Sequence, residues 1–227
     1  MLNIAVVRFP GSNSDFDALR AAEAVGAKSY FVWHRDTDLQ GADVVILPGG
    51  FSYGDYLRAG AIARFSPVMQ AVQRHAADGG AVLGICNGFQ ILCEAGLLPG
   101  GLLRNESLRF VCRQAELIVT ASCAWTAALT VGSRLRLPVK HGEGRYHADR
   151  ATLDWLEADG RVLLRYAPGH NPNGSARDIA GVVDARGNVA GLMPHPEHAV
   201  DPMLAAGTDG RRLFDSVLAH LAERVRA

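Results

Sequence analysis

Short apolar runs alternate with longer amphipathic segments through the first half of the chain. The apolar runs are short enough for buried strands and occupy residues 3–8, 28–33, 43–47 and 81–83. Between them, apolar positions recur with helical spacing, most clearly over 15–25 and 67–77. Strands that alternate with helices in this way predict a parallel sheet with crossover helices.

The first helix carries a start signal and an apolar face. Asn13 or Ser14 stands where an N-cap is expected, because their side chains can accept hydrogen bonds from free backbone N–H groups at a helix start. The apolar face is expected to contain Phe16, Leu19 and either Ala22 or Glu23.

The second half of the chain has a different pattern, with shorter β-prone runs. These runs lie at 110–112, 116–120, 135–139, 179–183 and 189–193. A brief helical piece lies near 153–157, and a hairpin-like connection over 184–188 joins the last two runs. We therefore expect added antiparallel strands, followed by a closing amphipathic helix over 210–224.

Composition and charge exclude several classes of protein. The 227 residues contain 23 Lys plus Arg and 23 Asp plus Glu, without a run of one sign. Nucleic acid and anionic membranes are therefore not expected as partners. No apolar stretch approaches the roughly 20 residues of a membrane span. Four cysteines without a C-x-x-C pair favour a reducing, cytoplasmic location.

A cysteine stands where a buried strand must turn sharply into a helix. Residues 84–90 read Gly-Ile-Cys-Asn-Gly-Phe-Gln directly after the run at 81–83. In a nucleophile elbow, glycines flank the nucleophile because the turn leaves no room for side chains. Backbone N–H groups at a helix start favour a thiolate, which is the reactive form. The pattern favours a nucleophile at Cys86, although an isolated G-x-C-x-G is as often a plain turn around a small buried cysteine.

A histidine and a carboxylate stand two positions apart near the end of the last apolar run. Residues 194–197 read Pro-His-Pro-Glu, and an extended backbone there would point His195 and Glu197 to the same side. A cysteine nucleophile needs an acid and base near neutral pH, and a histidine needs a partner that fixes its tautomer. The sequence therefore predicts that His195 and Glu197 work with Cys86.

An oxyanion beside the sulfur would need at least two backbone N–H donors. The Gly49-Gly50 turn, which follows the run at 43–47, can present one of them. Asn87, directly after the elbow cysteine, can present the other.

Five sequence blocks together resemble the class I (triad) glutamine amidotransferases. They are residues 48–55, 84–90, 141–144, 171–174 and 194–197. The resemblance runs in the same order from 6–13 to 207–210, so that it covers nearly the whole chain. Within the class, the blocks Phe-Pro-Gly-Ser-Asn, Gly-Gly-Phe-Ser-Tyr-Gly-Asp and His-Gly-Glu-Gly are most similar to the glutaminase subunits of phosphoribosylformylglycinamidine synthases.

This resemblance implies a fold and a mechanism. The fold would be a three-layer, flavodoxin-like α/β fold with a mostly parallel central sheet and added antiparallel strands, in one amidotransferase domain spanning 1–227. Cys86 would attack the carboxamide of L-glutamine. His195 would protonate the departing ammonia and later activate water, and Glu197 would orient His195.

Further site residues follow from the same resemblance. The main-chain N–H groups of Gly50 and Asn87 would hold the oxyanion, and Gln90 would lie near bound glutamine. His141 and Glu143 would line the site or a partner interface.

The resemblance also implies partners. Ammonia would pass to an ATP-dependent synthetase subunit (PurL), with a small adaptor subunit (PurS), for conversion of formylglycinamide ribonucleotide to its amidine in purine biosynthesis. Neither G-x-x-x-x-G-K-[ST] nor G-x-G-x-x-G is found in the sequence. We therefore expect ATP and Mg²⁺ on the synthetase, and neither a cofactor nor a metal on this chain.

The chain departs from the family pattern at two places. Residues 121–126 lack an expected asparagine, and His198 follows Glu197 where an arginine is usual. Three alternatives remain at this point. They are another triad amidotransferase subunit, a cysteine hydrolase of the DJ-1/PfpI type, which should lack the Pro-His-Pro-Glu ending, and a binding module that has lost activity.

Overall fold

Eleven strands and five α-helices form within the residues that the computed structural model describes, 2–203 and 207–226. The strands are β1 (Asn3–Arg8), β2 (Lys28–Trp33), β3 (Val44–Leu47), β4 (Ala81–Ile85), β5 (Gly101–Leu103), β6 (Val111–Val119), β7 (Arg134–His141), β8 (Arg145–His147), β9 (Val162–Tyr166), β10 (Ile179–Val183) and β11 (Val189–Leu192). The helices are α1 (Asp15–Ala24), α2 (Pro67–Ala77), α3 (Asn87–Glu94), α4 (Arg150–Ala158) and α5 (Arg211–Arg226). None of these helices is long and apolar enough to cross a bilayer. Residues 1, 204–206 and 227 of the predicted domain lie outside the described residues.

Nine of the strands form one mixed sheet in the order β2-β1-β3-β4-β11-β10-β9-β6-β7. The five strands from β2 to β11 pair in parallel. The pairings from β11 through β10, β9 and β6 to β7 are antiparallel. The predicted α/β class, with a parallel sheet extended by antiparallel strands, is confirmed. Strands β5 and β8 form a separate antiparallel pair.

Helices cover both faces of the sheet. The β1-α1-β2 connection runs toward one edge and β3-α2-β4 toward the other, so right-handed crossovers place α1 and α2 on opposite faces. Helix α5 joins α1, where Arg211 donates to the carbonyl of Ala24 at 3.0 Å. Helix α3 lies beside the segment that leads into α2, where Arg64 donates to the carbonyl of Glu94 at 2.9 Å. These contacts give the predicted three layers.

Two local predictions were wrong. The runs at 110–112 and 116–120 belong to one strand, β6, because the polar residues between them continue the pairing with β7. In α1, Ala22 is buried and Leu19 packs against the core as expected, but Phe16 is 51% exposed. Phe16 lies near the edge strand β2, where its ring packs edge-on against Phe31 with the centroids 5.0 Å apart.

The sheet directions bring several strand ends to one edge. β1, β3, β4 and β11 are parallel, so the segments that follow them emerge together. The strand direction reverses four times from β11 to β7, so β7 runs parallel to β11 and also ends at this edge. The backbone N–H of His195 donates to the carbonyl of Pro138 in β7 at 2.8 Å, which ties the segment after β11 to β7.

Candidate active site

Cys86 lies at a strained turn between β4 and α3. Its backbone has φ 51° and ψ −104°, a conformation that non-glycine residues rarely adopt. A Cβ at Gly84 would lie 2.6 Å from the carbonyl oxygen of Gly88, and one at Gly88 would lie 1.9 Å from that of Leu47. Strand, turn and helix therefore approach so closely that glycine is required on both sides of the cysteine.

The backbone around Cys86 is fixed while its sulfur faces a cavity. The Cys86 N–H donates to the carbonyl of Leu192 at 2.8 Å, which joins the turn to β11. The sulfur lies 3.9 Å from the carbonyl oxygen of Lys140. Asn87 is the first residue of α3, and the first N–H groups of a helix have no partner within it. The Asn87 N–H therefore has no acceptor within its own helix.

His195 and Glu197 form a buried pair. Nδ1 of His195 lies 2.6 Å from Oε1 of Glu197, and His195 is 1% exposed. The expected extended backbone is wrong, because Pro196–His198 forms a 3-10 turn. Proline suits the first position of such a turn, since its fixed φ is helical and its missing N–H would be unpaired there. The turn, not strand alternation, brings the carboxylate to the imidazole.

The pair is electrostatically coupled. Burial alone lowers the pKa of His195, but the charges of Glu197 and Cys86 raise it overall to about 9. Burial likewise opposes ionisation of Glu197, and the adjacent His195 still holds the pKa of that carboxyl below its ordinary value. Nε2 of His195 has no hydrogen-bond partner among the described residues. The ring therefore has one nitrogen held by a carboxylate and one left for another group.

Gly50 presents its backbone next to this pair. Its φ is +155°, and a Cβ there would lie 2.7 Å from the carbonyl oxygen of Gly11. An antiparallel bridge pairs Gly50 with Ser12, and its hydrogen bonds are donated by the N–H groups of Asn13 and Phe51. The N–H of Gly50 takes no part in this bridge, so it can point toward a ligand.

A cavity of about 290 Å³ brings most of the predicted residues together. Its wall contains Asn13, Gly50, Phe51, Asp55, Cys86, Gln90, Phe110, Lys140, His141, Gly142, Glu143 and His195. Glu197 lies behind His195, away from this wall. The Asn87 side chain is also outside it, because its Oδ1 accepts from the N–H of Ser52 at 3.1 Å.

Gln90 connects the two sides of the cavity. Its Nε2 donates to the carbonyl of Glu143 at 2.6 Å, and its Oε1 accepts from Nδ2 of Asn87 at 2.9 Å. Gln90 therefore holds the loop after β7 against the elbow helix as well as facing the cavity.

Two asparagines outside the predicted set hold the loop after β7. Nδ2 of Asn105 donates to the carbonyl of His141 at 2.8 Å, and its Oδ1 accepts from the N–H of Gly144 at 3.1 Å. Nδ2 of Asn173 donates to the carbonyl of Gly144 at 2.7 Å. Burial, with a smaller effect of His195, lowers the pKa of His141 to about 4, so His141 is neutral at neutral pH. Asn173 belongs to the block at 171–174, whereas no local pattern marks Asn105.

Charged residues on the wall were also missed. Nζ of Lys140 donates to Oγ of Ser14 at 3.0 Å. Ser14 occupies the N-cap position of α1, as expected, but its side chain makes no capping hydrogen bond. Asp55, at φ 54°, has a pKa raised to about 6 by burial and by the charge of Glu143.

One group of side chains has the spacing of metal ligands. Ligand atoms of His195, Glu197 and His198 lie within 4.8 Å of one another. Within this group, the 2.6 Å contact already joins His195 to Glu197. His198 Nε2 lies 3.5 Å from the same carboxylate oxygen.

The sequence is similar to a known family over most of its length. A family profile described as a CobB/CobQ-like glutamine amidotransferase domain matches residues 1–214. A phosphoribosylformylglycinamidine synthase subunit PurQ of Rubrobacter xylanophilus is 59% identical over 219 residues, which cover 96% of this chain and 98% of that protein. The protein of the same name from Nocardia farcinica is 58% identical over 216 residues, covering 95% and 96%.

Solved structures show the same relationship. A chain in a structure described as PurLQS from Thermotoga maritima has a TM-score of 0.88 and 43% identity, covering 97% of this chain and 99% of that one. A glutamine amidotransferase from Thermotoga maritima, at 16% identity and a TM-score of 0.56, shares the fold. These similarities favour an amidotransferase over the cysteine hydrolase and the inactive binding module.

Proposed function

The chain belongs to the CobB/CobQ-like glutamine amidotransferase family, and from that premise we propose that it is the glutaminase subunit of a phosphoribosylformylglycinamidine synthase. Two relatives that carry the name PurQ match it over nearly their whole length at 59% and 58% identity. Ammonia released here serves the conversion of formylglycinamide ribonucleotide to its amidine in purine biosynthesis.

One observation carries the proposed chemistry. Glu197 holds Nδ1 of His195, Nε2 of the same ring has no hydrogen-bond partner within the described part of the chain, and Cys86 and His195 line one cavity. A protonated His195 beside Cys86 favours the thiolate. The thiolate attacks the side-chain carboxamide carbon of glutamine, forming a C–S bond and a tetrahedral oxyanion.

Breakdown of that intermediate uses the same imidazole. The C–N bond breaks, and His195 gives its proton to the departing nitrogen, which leaves as ammonia. The resulting γ-glutamyl thioester is then attacked by water, whose proton passes to His195. The C–S bond breaks, glutamate leaves and the thiolate is restored. Glu197 keeps His195 in the required orientation throughout.

Two backbone groups and one side chain complete the proposed site. The N–H groups of Gly50 and Asn87 stabilise the oxyanion, which is supported by the position of Gly50 on the wall and of Asn87 at the start of α3. Gln90 is proposed to contact bound glutamine, because it faces the cavity one turn after Cys86.

The proposed partners are a synthetase subunit (PurL) and a small adaptor (PurS). The similar Thermotoga chain belongs to a structure described as PurLQS. ATP and Mg²⁺ are assigned to the synthetase, and this chain is proposed to act in the cytoplasm as a single domain over 1–227, without a cofactor of its own. Direct transfer protects the ammonia, since ammonia released at neutral pH becomes unreactive ammonium.

The experiment that tests this function is a reconstitution. The chain is mixed with the synthetase and adaptor subunits, and glutamate and amidine are measured with glutamine as the nitrogen source. We expect both products in equal amounts, and amidine without glutamate when ammonium salt replaces glutamine and this chain is omitted. Absence of glutamate from the complete mixture would contradict the proposal.

A further inference from the structure

Two carboxylates face the cavity that contains Cys86. Asp55 and Glu143 both line its wall. Oδ1 of Asp55 is buried and has no hydrogen-bond partner among the described residues. Glu143 has a partner on its outer side, where Nε of the largely exposed Arg104 lies 3.3 Å from Oε1. Asp55 therefore contributes a buried polar atom whose hydrogen-bonding capacity the described protein leaves unused.

The position of Asp55 is fixed by a strained turn. Tyr53, Gly54 and Asp55 all have positive φ, at 53°, 70° and 54°. The hydroxyl of Tyr53 lies 2.6 Å from Nδ1 of His34 and 3.0 Å from Oγ of Ser66, which anchors the turn. Strained backbone of this kind persists where surrounding contacts enforce it, often in ligand sites.

Glu143 is held from the opposite side of the cavity. Its carbonyl accepts from Nε2 of Gln90 at 2.6 Å, so the loop after β7 is attached to α3. Asp55 and Glu143 line the same cavity, and burial together with the charge of Glu143 raises the pKa of Asp55 to about 6. Like charges near each other in a partly buried site repel, and a cation between them removes that repulsion.

Cys86 and His195 line the same cavity and show where an amide would lie. His195 is almost completely buried and lines the wall, and its Nε2 lacks a partner within the described chain. A glutamine whose carboxamide reaches Cys86 and His195 still has an α-ammonium group to place. That group is a cation with three N–H donors, and buried carboxylate oxygens without a partner are suitable acceptors for it.

We propose that Asp55, together with Glu143, binds the α-ammonium group of the substrate and so selects an α-amino acid over a plain carboxamide. This inference rests on the proposed glutaminase function. Asp55 is a specificity-determining residue that contacts the substrate far from the reacting carbon. Removal of its charge should therefore weaken glutamine binding without disturbing the chemistry at Cys86.

The test compares two substrates that differ only in the α-ammonium group. Glutamine and its des-amino analogue, glutaramate, are assayed in the reconstituted complex with the unmodified chain, Asp55→Asn, Glu143→Gln and Asp159→Asn. Asp159 is an exposed acid beyond α4 and serves as the matched control. We expect Asp55→Asn to lower kcat/KM for glutamine by at least about tenfold, through KM, and to leave glutaramate unchanged.

The other variants sharpen the result. Glu143→Gln should act in the same direction but less strongly, because Glu143 is partly exposed and already pairs with Arg104. Asp159→Asn should change neither substrate. An Asp55→Asn variant that loses activity equally on both substrates, or keeps the original ratio between them, would overturn the inference while the glutaminase function stands. An unmodified complex that releases no glutamate would instead contradict the function itself.

A second measurement does not depend on turnover. The thiol of Cys86 is alkylated with a diazoketone analogue of glutamine, which carries the α-ammonium group, and separately with iodoacetamide, which does not. Asp55→Asn should slow the first reaction by about the same factor as kcat/KM and leave the second unchanged. Equal slowing of both alkylation reactions would show that Asp55 maintains the shape of the site and does not bind the α-ammonium group.

Discussion

The parallel and antiparallel halves of the sheet hold the site in different ways. In the parallel half, backbone constraints position the reactive groups, with Cys86 on a strained turn and Gly84 and Gly88 packed against neighbouring main chain. In the antiparallel half, side-chain amides from distant loops position the end of β7, chiefly Asn105 and Asn173. The parallel half therefore carries the proposed chemistry, and the antiparallel half closes the cavity around the substrate.

This difference predicts different consequences of mutation. Changes in the parallel half should act on kcat or on folding, because most of the groups there react or cannot be displaced. Asp55, which follows β3, is the exception, since it is proposed to contact the substrate and not the reacting carbon. Changes in the antiparallel half should act mainly on KM, since that half supplies contacts to the unreacting part of the substrate.

The largest effect is expected at the nucleophile. Cys86→Ala removes the group that forms the thioester, so glutamate release should fall by about ten-thousand-fold. The assay is glutamate formation by the complete complex, and ammonia-dependent amidine formation should persist. Cys112→Ala is the matched control, because Cys112 is an exposed free cysteine in β6. Cys86→Ala with substantial glutaminase activity would place the chemistry elsewhere.

The second effect is expected at the buried carboxylate. Glu197→Gln keeps the shape of the side chain but removes the charge that raises the pKa of His195 and the acceptor that fixes its tautomer. We expect kcat to fall by about a thousandfold and the titration of the His195 ring, followed by NMR, to move to lower pH. Glu223→Gln, on the exposed side of α5, should change neither. An unchanged His195 titration would mean that Glu197 does not set its charge.

The third effect is on stability. In Gly88→Ala the new Cβ would lie 1.9 Å from the carbonyl oxygen of Leu47, so strand and helix must separate. We expect the free energy of unfolding in urea to fall by about 3 kcal/mol. Gly101→Ala in β5 is the control, because no atom lies within 4 Å of its added Cβ. Its unfolding free energy should change by no more than about 0.5 kcal/mol. Similar values for the two variants would refute the account of the elbow.

Sequence patterns predicted the parallel half well because its constraints are local. Strand β4, the elbow and helix α3 follow one another directly along the chain, and Gly84 abuts Gly88 on the other side of Cys86. The contact of Gly88 with Leu47 of the neighbouring strand β3 is the long-range exception. The helix at 67–77 matches α2 in both of its ends. The contact between His195 and Glu197 was also expected, although a 3-10 turn and not an extended strand produces it.

The antiparallel half was less predictable because its contacts join distant residues. Asn105 reaches His141 across 36 positions, and no spacing along the chain indicates such a hydrogen bond. Polar residues interrupt the apolar pattern of β6 where its pairing with β7 continues, so the pattern predicts two runs in place of one strand. β9, which pairs with the C-terminal part of β6, lies outside the predicted runs although its sequence is largely apolar. Ser14 is a residue type that often caps helices, yet its side chain accepts a hydrogen bond from Lys140 of β7, 126 positions away.

The fourth prediction separates the two halves directly. Asn105→Ala leaves the carbonyl of His141 and the N–H of Gly144 without their partner. We expect KM for glutamine to rise about tenfold while kcat changes less, and the free energy of unfolding to fall by about 2 kcal/mol. Gln73→Ala on the exposed side of α2 is the control. A loss confined to kcat would mean that the loop after β7 supports the chemistry and not the substrate contacts.

The smallest effect is a pH dependence of KM that should come from Asp55 alone. The titratable groups that line the cavity with Asp55 are Cys86, Lys140, His141, Glu143 and His195, and burial together with the charge of Glu143 raises the pKa of Asp55 to about 6. Binding of an α-ammonium group needs the ionised carboxylate. Affinity is therefore fully present above pH 6 and is lost as the pH falls through that value, so KM should rise up to tenfold per pH unit below it. His141, with a pKa near 4, stays neutral over this range and does not add to the effect.

Steady-state KM is measured between pH 5 and about 8 for the unmodified chain and for Asp55→Asn. The rise in KM should be absent in Asp55→Asn, whose KM is high at every pH. A rise that persists in Asp55→Asn would assign the titration to another group, and Asp55 would then have no part in binding the α-ammonium group.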